Sequence, residues 1–244
     1  MRSLISSWPT AAASVAFTAA VAWPLAAQGP GRSAALPDVK DLPLVEVRGT
    51  ARAGDAMALI ISGDGGWATI DKQIAGVLAD SGIAVVVLNA PKYFHTRRTP
   101  EEATHDVERV LDRYLPLWHR DSVVLVGYSH GADVLPFIAA RLRPDLAARA
   151  RVIALLGPAH GADFEFHLMD VFRVSPSRHA LPTLPELHRL GGHRILCFFG
   201  TDETDSLCRD AGALATVIPL TGGHHFDGNY RAIAAQIVAA VENR

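Results

Sequence analysis

The feature that most constrains the fold is a set of short apolar runs that are continuous rather than alternating. Ala84–Leu88, Val123–Val126, Val152–Leu156 and Ile195–Phe199 carry no polar side chain. A strand with one wet face alternates apolar and polar residues, so runs like these belong to strands covered on both faces. Between them lie segments with apolar residues at helical spacing. Thr69–Asp80 places Ile70, Ile74, Val77 and Leu78 on one stripe, with Asp71 in the first turn, where the helix dipole favours a carboxylate. Pro100–Tyr114 opens on the residue best suited to a first helical position, and Ala132–Leu142 and Tyr230–Val241 complete the set. Leu44–Arg48 and Met57–Ser62 suggest an opening strand or hairpin, and Leu214–Ile218 a further strand. Strands alternating with helices predict an α/β fold, a mostly parallel sheet with helices on both faces.

One run ends abruptly. Val123–Val126 leads into Gly127-Tyr128-Ser129-His130-Gly131, directly before the helical segment that starts at Ala132. G-x-S-x-G between a strand and a helix is the pattern of a nucleophile elbow, a strained turn whose glycines keep side chains out of the way of the serine. Ser129 is therefore the candidate nucleophile, with the N–H of His130 at the helix start as one donor to a developing oxyanion.

In an open parallel sheet the reacting groups sit at the carboxyl ends of the strands, so the other strand-end loops are the places to search. Ser62-Gly63-Asp64-Gly65-Gly66-Trp67 flanks Asp64 with glycine, and the N–H of Asp64 or Gly65 is the expected second oxyanion donor of an α/β-hydrolase. No Lys-Ser/Thr follows, which sets a phosphate-binding P-loop aside. Gly200-Thr201-Asp202-Glu203-Thr204-Asp205 offers three carboxylates; the position three past the strand-ending glycine selects Glu203, with Asp202 and Asp205 open as alternates. Thr221-Gly222-Gly223-His224-His225 supplies the base, His224 first and His225 as alternate, and the chain order Ser…acid…His is the hydrolase order. The loop from Asn89 to Pro100 combines Lys92, Arg97 and Arg98 with Tyr93 and Phe94, a set suited to an anionic head group at a membrane surface. Asp133 and Asp163 are candidate counter-ions for an ammonium group. No metal site or cofactor is expected, since adjacent histidine side chains diverge.

With 244 residues, 49% of them hydrophobic, and a formal net charge of −2, the chain can bury one sizeable core and lacks the basic run that a nucleic-acid partner requires. Met1–Ala27 has Arg2 near its front, an apolar stretch over Ala11–Ala22 and small residues after it, the pattern of a secretory signal peptide cleaved near Ala22 or Ala27. Residues 28–43 read as a flexible lead-in and residues 44–244 as one hydrolase domain, exported to the periplasm. The only two cysteines, Cys197 and Cys208, flank the acidic loop and are expected to be joined in an oxidising compartment.

Gly-Asp-Gly-Gly-Trp at 63–67, Lys-Tyr-Phe at 92–94 with Arg-Arg-Thr-Pro-Glu at 97–101, Gly-Tyr-Ser-His-Gly-Ala-Asp-Val-Leu-Pro-Phe at 127–137, the Cys-flanked acidic loop and Gly-Gly-His-His-Phe-Asp at 222–227 together resemble the bacterial virulence protein family VirJ/AcvB, from about Ala58 to the C-terminus. His130 stands where that family more usually carries an aromatic residue, and His95 where Trp is expected. The resemblance implies a periplasmic α/β-hydrolase with Ser129 as nucleophile and the His224/His225 pair as source of the base. It also implies hydrolysis of lysyl-phosphatidylglycerol and a link to type IV secretion. The reaction expected is ester hydrolysis through an acyl-enzyme on an aminoacylated phospholipid. The rival expectations are a non-catalytic binding factor associated with secretion and a general carboxylesterase or thioesterase.

Overall fold

In the computed structural model residues 35–48, 54–165 and 180–243 are described. The expected leader over Met1–Ala27 lies outside them. In chain order the elements are β1 (Leu44–Val47), β2 (Ala56–Ile61), α1 (Thr69–Asp80), β3 (Ala84–Leu88), α2 (Ala90–Tyr93), α3 (Pro100–Leu117), β4 (Ser122–Tyr128), α4 (His130–Ala139), α5 (Pro144–Ala147), β5 (Ala150–Leu156), β6 (Gly161–Ala162), β7 (Leu181–Pro182), α6 (Leu184–Arg189), β8 (Ile195–Gly200), β9 (Thr216–Leu220) and α7 (Tyr230–Glu242). The main sheet runs β1-β3-β2-β4-β5-β8-β9, and β6 pairs with β7 in a separate two-stranded ribbon. All pairings in the main sheet are parallel except β1 with β3.

The continuous apolar runs are explained by two cores. On one face Leu59, Val86, Val123, Leu125 and Ile153 pack under α3, α4 and α6 through residues such as Val107, Leu111, Leu135, Ile138 and Leu187. On the other, Ala58, Ile60, Val85, Val124, Val126 and Val152 lie under α1 and α7 through Ile70, Ile74, Leu78, Ile233 and Ile237. Successive residues of β4 thus serve opposite layers, and neither face can tolerate a polar side chain. Each fully buried Val, Leu or Ile contributes about 1.5–3 kcal/mol by leaving water.

The helix starts are locally encoded. Thr99 caps α3 by accepting from the N–H of Glu102, whose carboxylate accepts in return from the N–H of Thr99 at 2.8 Å. Asp71 does the same for α1, accepting from the N–H of Ala68 at 3.2 Å.

Three sequence expectations are corrected. The opening pair is not a hairpin: β1 joins β3, antiparallel, and β3 separates it from β2, because the longer parallel register of β2 with β3 and β4 takes both edges of β2. The strand expected at Leu214–Ile218 begins at Thr216 instead, since Gly212–Leu214 is spent on a tight helical turn. The lead-in expected to be flexible over 28–43 is packed from Pro37 onward: Val39 and Leu42 are buried, Arg109 donates to both carboxylate oxygens of Asp41 and to the carbonyl of Asp38, and Arg113 donates to that of Pro37. Small residues and prolines gave that stretch a flexible look, but two arginines of α3 fix it. Among the described residues no helix is long and apolar enough to cross a membrane.

The parallel register aligns Ile61 with Gly127, Tyr128 with Leu156 and Gly200 with Leu220, so the loops leaving β2, β4, β5, β8 and β9 open at one edge of the sheet. The candidate nucleophile, base and acid named from the sequence come from these loops, and the candidate cations Lys92, Arg97 and Arg98 from the loop after β3.

Candidate active site

The turn between β4 and α4 holds Ser129 at φ 52°, ψ −123°, a left-handed conformation that L-residues seldom adopt. The surroundings impose it. The N–H of Ser129 donates to the carbonyl of Leu156, and its own carbonyl accepts from Ala132 and Asp133. A Cβ on Gly127 would run into the carbonyl of Gly131, and one on Gly131 into the carbonyl of Ile61, so both glycines of the motif are required by close backbone approach.

Ser129 Oγ lies 2.8 Å from His224 Nε2, and His224 Nδ1 lies 2.6 Å from Glu203 Oε1. The other carboxylate oxygen of Glu203 accepts from the N–H of Gly200 at 2.7 Å, which fixes the acid on its turn. The bond from Glu203 raises the pKa of His224 above the usual imidazole value against the opposing effect of burial, and the charges of Asp133 and Asp64 add to the rise. Burial acts to raise Glu203 in turn, but its bonds from His224 and Gly200 outweigh this and hold it below the usual carboxylate range. A serine hydroxyl, an imidazole and an ionised carboxylate in this sequence of contacts form a relay able to deprotonate the hydroxyl and stabilise the imidazolium that results.

The contact to Ser129 and the contact to the imidazole fall to His224 and Glu203, not to the alternates. His225 Nδ1 is 2.9 Å from the hydroxyl of Tyr128, Asp205 is exposed and pairs with His160 at 3.0 Å, and Asp202 is exposed with its N–H bonded to the carbonyl of Gly222. Tyr128 serves both histidines, since its ring stacks on that of His224 at 5.5 Å and 28°.

The loop after β2 reaches the nucleophile by its backbone. A Cβ on Gly63 would stand 2.9 Å from the Tyr128 ring and 3.1 Å from Ser129 Cβ, so only glycine fits there, and the N–H of Asp64 follows in the chain. A Cβ on Gly65 would stand 3.3 Å from that of Ala68. His130 opens α4 directly after Ser129, ahead of Ala132 and Asp133, whose N–H groups bond back to the Ser129 carbonyl. Its ring is buried 5.0 Å from that of Phe94, with Nδ1 3.8 Å from a carboxylate oxygen of Asp64. Burial lowers the His130 pKa, against the charges of Asp64 and Asp163.

The loop after β3 divides its cations. Lys92 and Arg97 are exposed. Arg98, expected to face the substrate, instead lies over the ring of Tyr93 at 4.8 Å, with its N–H bonded to the carbonyl of Phe164. Asp133, expected as a counter-ion, accepts from the N–H of Ala159 at 2.6 Å. Asp163 accepts from the N–H of Glu165 at 3.2 Å. Cys197 and Cys208 are joined, and both are fully buried.

Sequence reasoning passed over the loop after β5. Gly157 has φ +62°, and a Cβ there would lie 2.7 Å from His224 Cε1 and 2.9 Å from Nδ1, so its backbone backs the imidazole. The signal available was a glycine and a proline directly after a buried strand.

With the site in view, comparison with known proteins places the chain. The family described as bacterial virulence protein (VirJ) matches residues 55–244. The chain belongs to this family. No curated protein matches it by sequence. Among solved structures, it resembles MenH from S. aureus (13% identity, TM-score 0.58, covering 82% of this chain and 99% of that one). It likewise resembles Est1E from Butyrivibrio proteoclasticus, solved with ferulic acid bound (12%, 0.58, 84% and 98%), and a lipase-esterase related protein from Clostridium acetobutylicum (13%, 0.56, 83% and 98%). At such identities the likeness establishes the fold: this VirJ-family chain is an α/β-hydrolase in architecture.

Proposed function

We propose that this VirJ-family protein is an exported serine ester hydrolase acting on an aminoacylated anionic phospholipid of the lysyl-phosphatidylglycerol kind. The observation that carries the hydrolase reading is the unbroken contact from Ser129 through His224 to Glu203 at 2.8 and 2.6 Å. Export is supported by the leader-like pattern of Met1–Ala27 and by the buried Cys197–Cys208 disulfide, since such bonds persist in oxidising compartments. The lipid reading draws on the exposed Lys92 and Arg97 of the loop after β3 and on membership of the VirJ family.

In this mechanism His224 Nε2 takes the Ser129 proton as Oγ attacks the ester carbonyl. Glu203 holds the Nδ1–H tautomer and balances the imidazolium. The N–H groups of Asp64 and His130 receive the oxyanion, and His224 returns the proton to the departing glycerol oxygen. Water, deprotonated by the same imidazole, then cleaves the acyl-enzyme and frees the amino acid.

The test is release of lysine from lysyl-phosphatidylglycerol vesicles, run beside turnover of a small activated ester. Wild type is expected to turn over both, and Ser129→Ala to lose about 10⁴-fold or more on each while keeping its circular dichroism spectrum. Ester turnover without lysine release would leave a general esterase. Full activity in a folded Ser129→Ala variant would remove the hydrolase reading.

A further inference from the structure

Asp133 stands in the first turn of α4, four residues past Ser129, and its Oδ1 accepts from the N–H of Ala159 at 2.6 Å. Ala159 ends the short segment 157–159 that leaves β5. That segment is fastened at each residue to a different part of the site. The N–H of Gly157 donates to the carbonyl of Phe198 in β8, and the carbonyl of Pro158 accepts from the N–H of Leu207, next to the disulfide. The next residue, His160, anchors the outer end on Asp205 and Asp210 at 3.0 and 2.7 Å. The ties of Gly157, Pro158 and the His160 side chain lead to the side of the molecule that carries Glu203, and the His160 carbonyl accepts from the N–H of Thr183. Within 157–160 only the tie of Ala159, among the described residues, leads to the helix after Ser129, while Leu156 just before the segment accepts from the N–H of Ser129 itself.

What the segment does for chemistry follows from Gly157. Its backbone lies against His224 so closely that a methyl group would meet Cε1 and Nδ1, the edge of the ring that faces Glu203. A shift of the segment therefore opens or closes the space in which the imidazole turns. On the hydrolase reading given above, we propose that Asp133 is a positioning residue, a strut from the nucleophile helix that holds the 157–159 segment against His224 and so sets the ring on the line between Ser129 and Glu203.

The strut works by accepting a hydrogen bond rather than by charge. Burial pushes the Asp133 carboxyl up to about 7, helped by the neighbouring charge of Asp64 and opposed by the Ala159 N–H and by His224. Near neutral pH the group therefore exists in both forms, and either form leaves an oxygen for Ala159. Asparagine offers the same acceptor without the charge.

The experiment compares wild type, Asp133→Ala and Asp133→Asn by the rate at which a fluorophosphonate labels Ser129, a reaction that needs an activated serine but no knowledge of the natural substrate. The same three proteins are examined by proton NMR for the downfield resonance of the His224 Nδ1–H. A 1 Å misplacement of a reacting group costs up to about 100-fold, so Asp133→Ala is expected to label about 10- to 100-fold more slowly and Asp133→Asn within about threefold of wild type. The downfield resonance is expected to be displaced or lost in Asp133→Ala and kept in Asp133→Asn. Wild-type labelling by Asp133→Ala, or slow labelling by a folded Asp133→Asn, would overturn the proposal. If Asp133→Ala does not fold, the Asn variant decides alone in the same terms. Should wild type itself resist the probe, the hydrolase reading fails separately, and an unmoved His224 resonance in Asp133→Ala would still sink the strut.

Discussion

Ser129 occupies a backbone conformation that costs a non-glycine residue about 1–3 kcal/mol, and it is held there by bonds from Ala132 and Asp133 and by its own N–H on Leu156. The strain belongs to the position and not to the hydroxyl, so Ser129→Ala should keep wild-type stability while Ser129→Gly melts higher, by about 1 kcal/mol once glycine's extra unfolded entropy is set against the relief. Thermal unfolding of the two variants side by side checks this; equal melting temperatures would mean the turn is unstrained. The relay makes a second prediction. Because the bond from Glu203 raises the pKa of His224, the neutral imidazole needed as base gains population only as pH rises through that elevated value. The acid limb of kcat/KM should then lie above the ordinary imidazole range in wild type and move to lower pH in Glu203→Gln, whose plateau should drop by about 10²–10⁴. A limb that stays put on replacing Glu203 would assign it to another group. Ser129 stands out in the chain by its place in G-x-S-x-G, whereas spacing from Gly200 favours Glu203 but leaves Asp202 and Asp205 open, because spacing alone does not say which carboxylate turns toward the histidine. His224 could not be separated from His225, because the choice rests on the path of the loop and on the Tyr128 hydroxyl that takes His225.

At the scale of elements, the acid of the relay rides on a segment clamped at both ends. Cys197 lies within β8, Cys208 on the short turn Leu207–Arg209, and Glu203 between them. Replacing both cysteines by alanine should lower stability by about 2–3 kcal/mol on chain-entropy grounds. It should also lower kcat on a small ester, since Glu203 loses its fixed turn; urea unfolding and ester turnover measure the two effects separately, and a loss of stability with full kcat would show the turn holds without the clamp. The start of α1 carries a different cost. Asp71 is buried, one carboxylate oxygen accepts from the N–H of Ala68 and the other has no hydrogen-bond partner among the described residues, and burial raises its pKa to about 6. An acid whose folded pKa exceeds its unfolded value near 4 binds more protons when folded, so stability falls as pH rises from about 4 to about 6. Asp71→Asn keeps the acceptor and removes that fall. The gain at pH 7.5 should be about 1–2 kcal/mol after the lost helix-dipole contribution is subtracted, and absent at pH 3. Denaturant titrations at the two pH values decide it. The elements themselves were legible wherever a run was long and uniformly apolar, as in β4 and β5. The short pieces α2, α5, β6 and β7 were not, because their conformations are set by contacts distant in sequence, and the packing of Pro37–Asp41 depends on Arg109 and Arg113 reaching back from α3.

For the molecule as a whole, the parallel register brings the loops that carry Ser129, His224 and Glu203 to one edge of the sheet, and the loop after β3 joins them there. Phe94 packs on the His130 ring, and Gly66 of the loop after β2 stands so close to Asn89 that a Cβ would meet its side chain at 2.9 Å. Lys92 and Arg97 are exposed on this loop, whereas Arg98 is taken up by Tyr93. A formal net charge of −2 gives the protein no general attraction to an anionic surface, so if the substrate is presented there the attraction must be local. A basic residue near such a surface is worth about 1 kcal/mol, which predicts that replacing Lys92 and Arg97 together by alanine weakens kcat/KM on lysyl-phosphatidylglycerol vesicles by about 30-fold. Turnover of a small neutral ester should be nearly unchanged, because it offers those cations nothing to hold. Salt supplies an independent arm: the advantage of wild type over the double variant on vesicles should shrink as ionic strength rises toward 1 M, where the screening length falls to about 3 Å. An equal loss on both substrates would mean the loop shapes the site rather than meeting the lipid, and a salt-independent difference on vesicles would point to packing in place of charge.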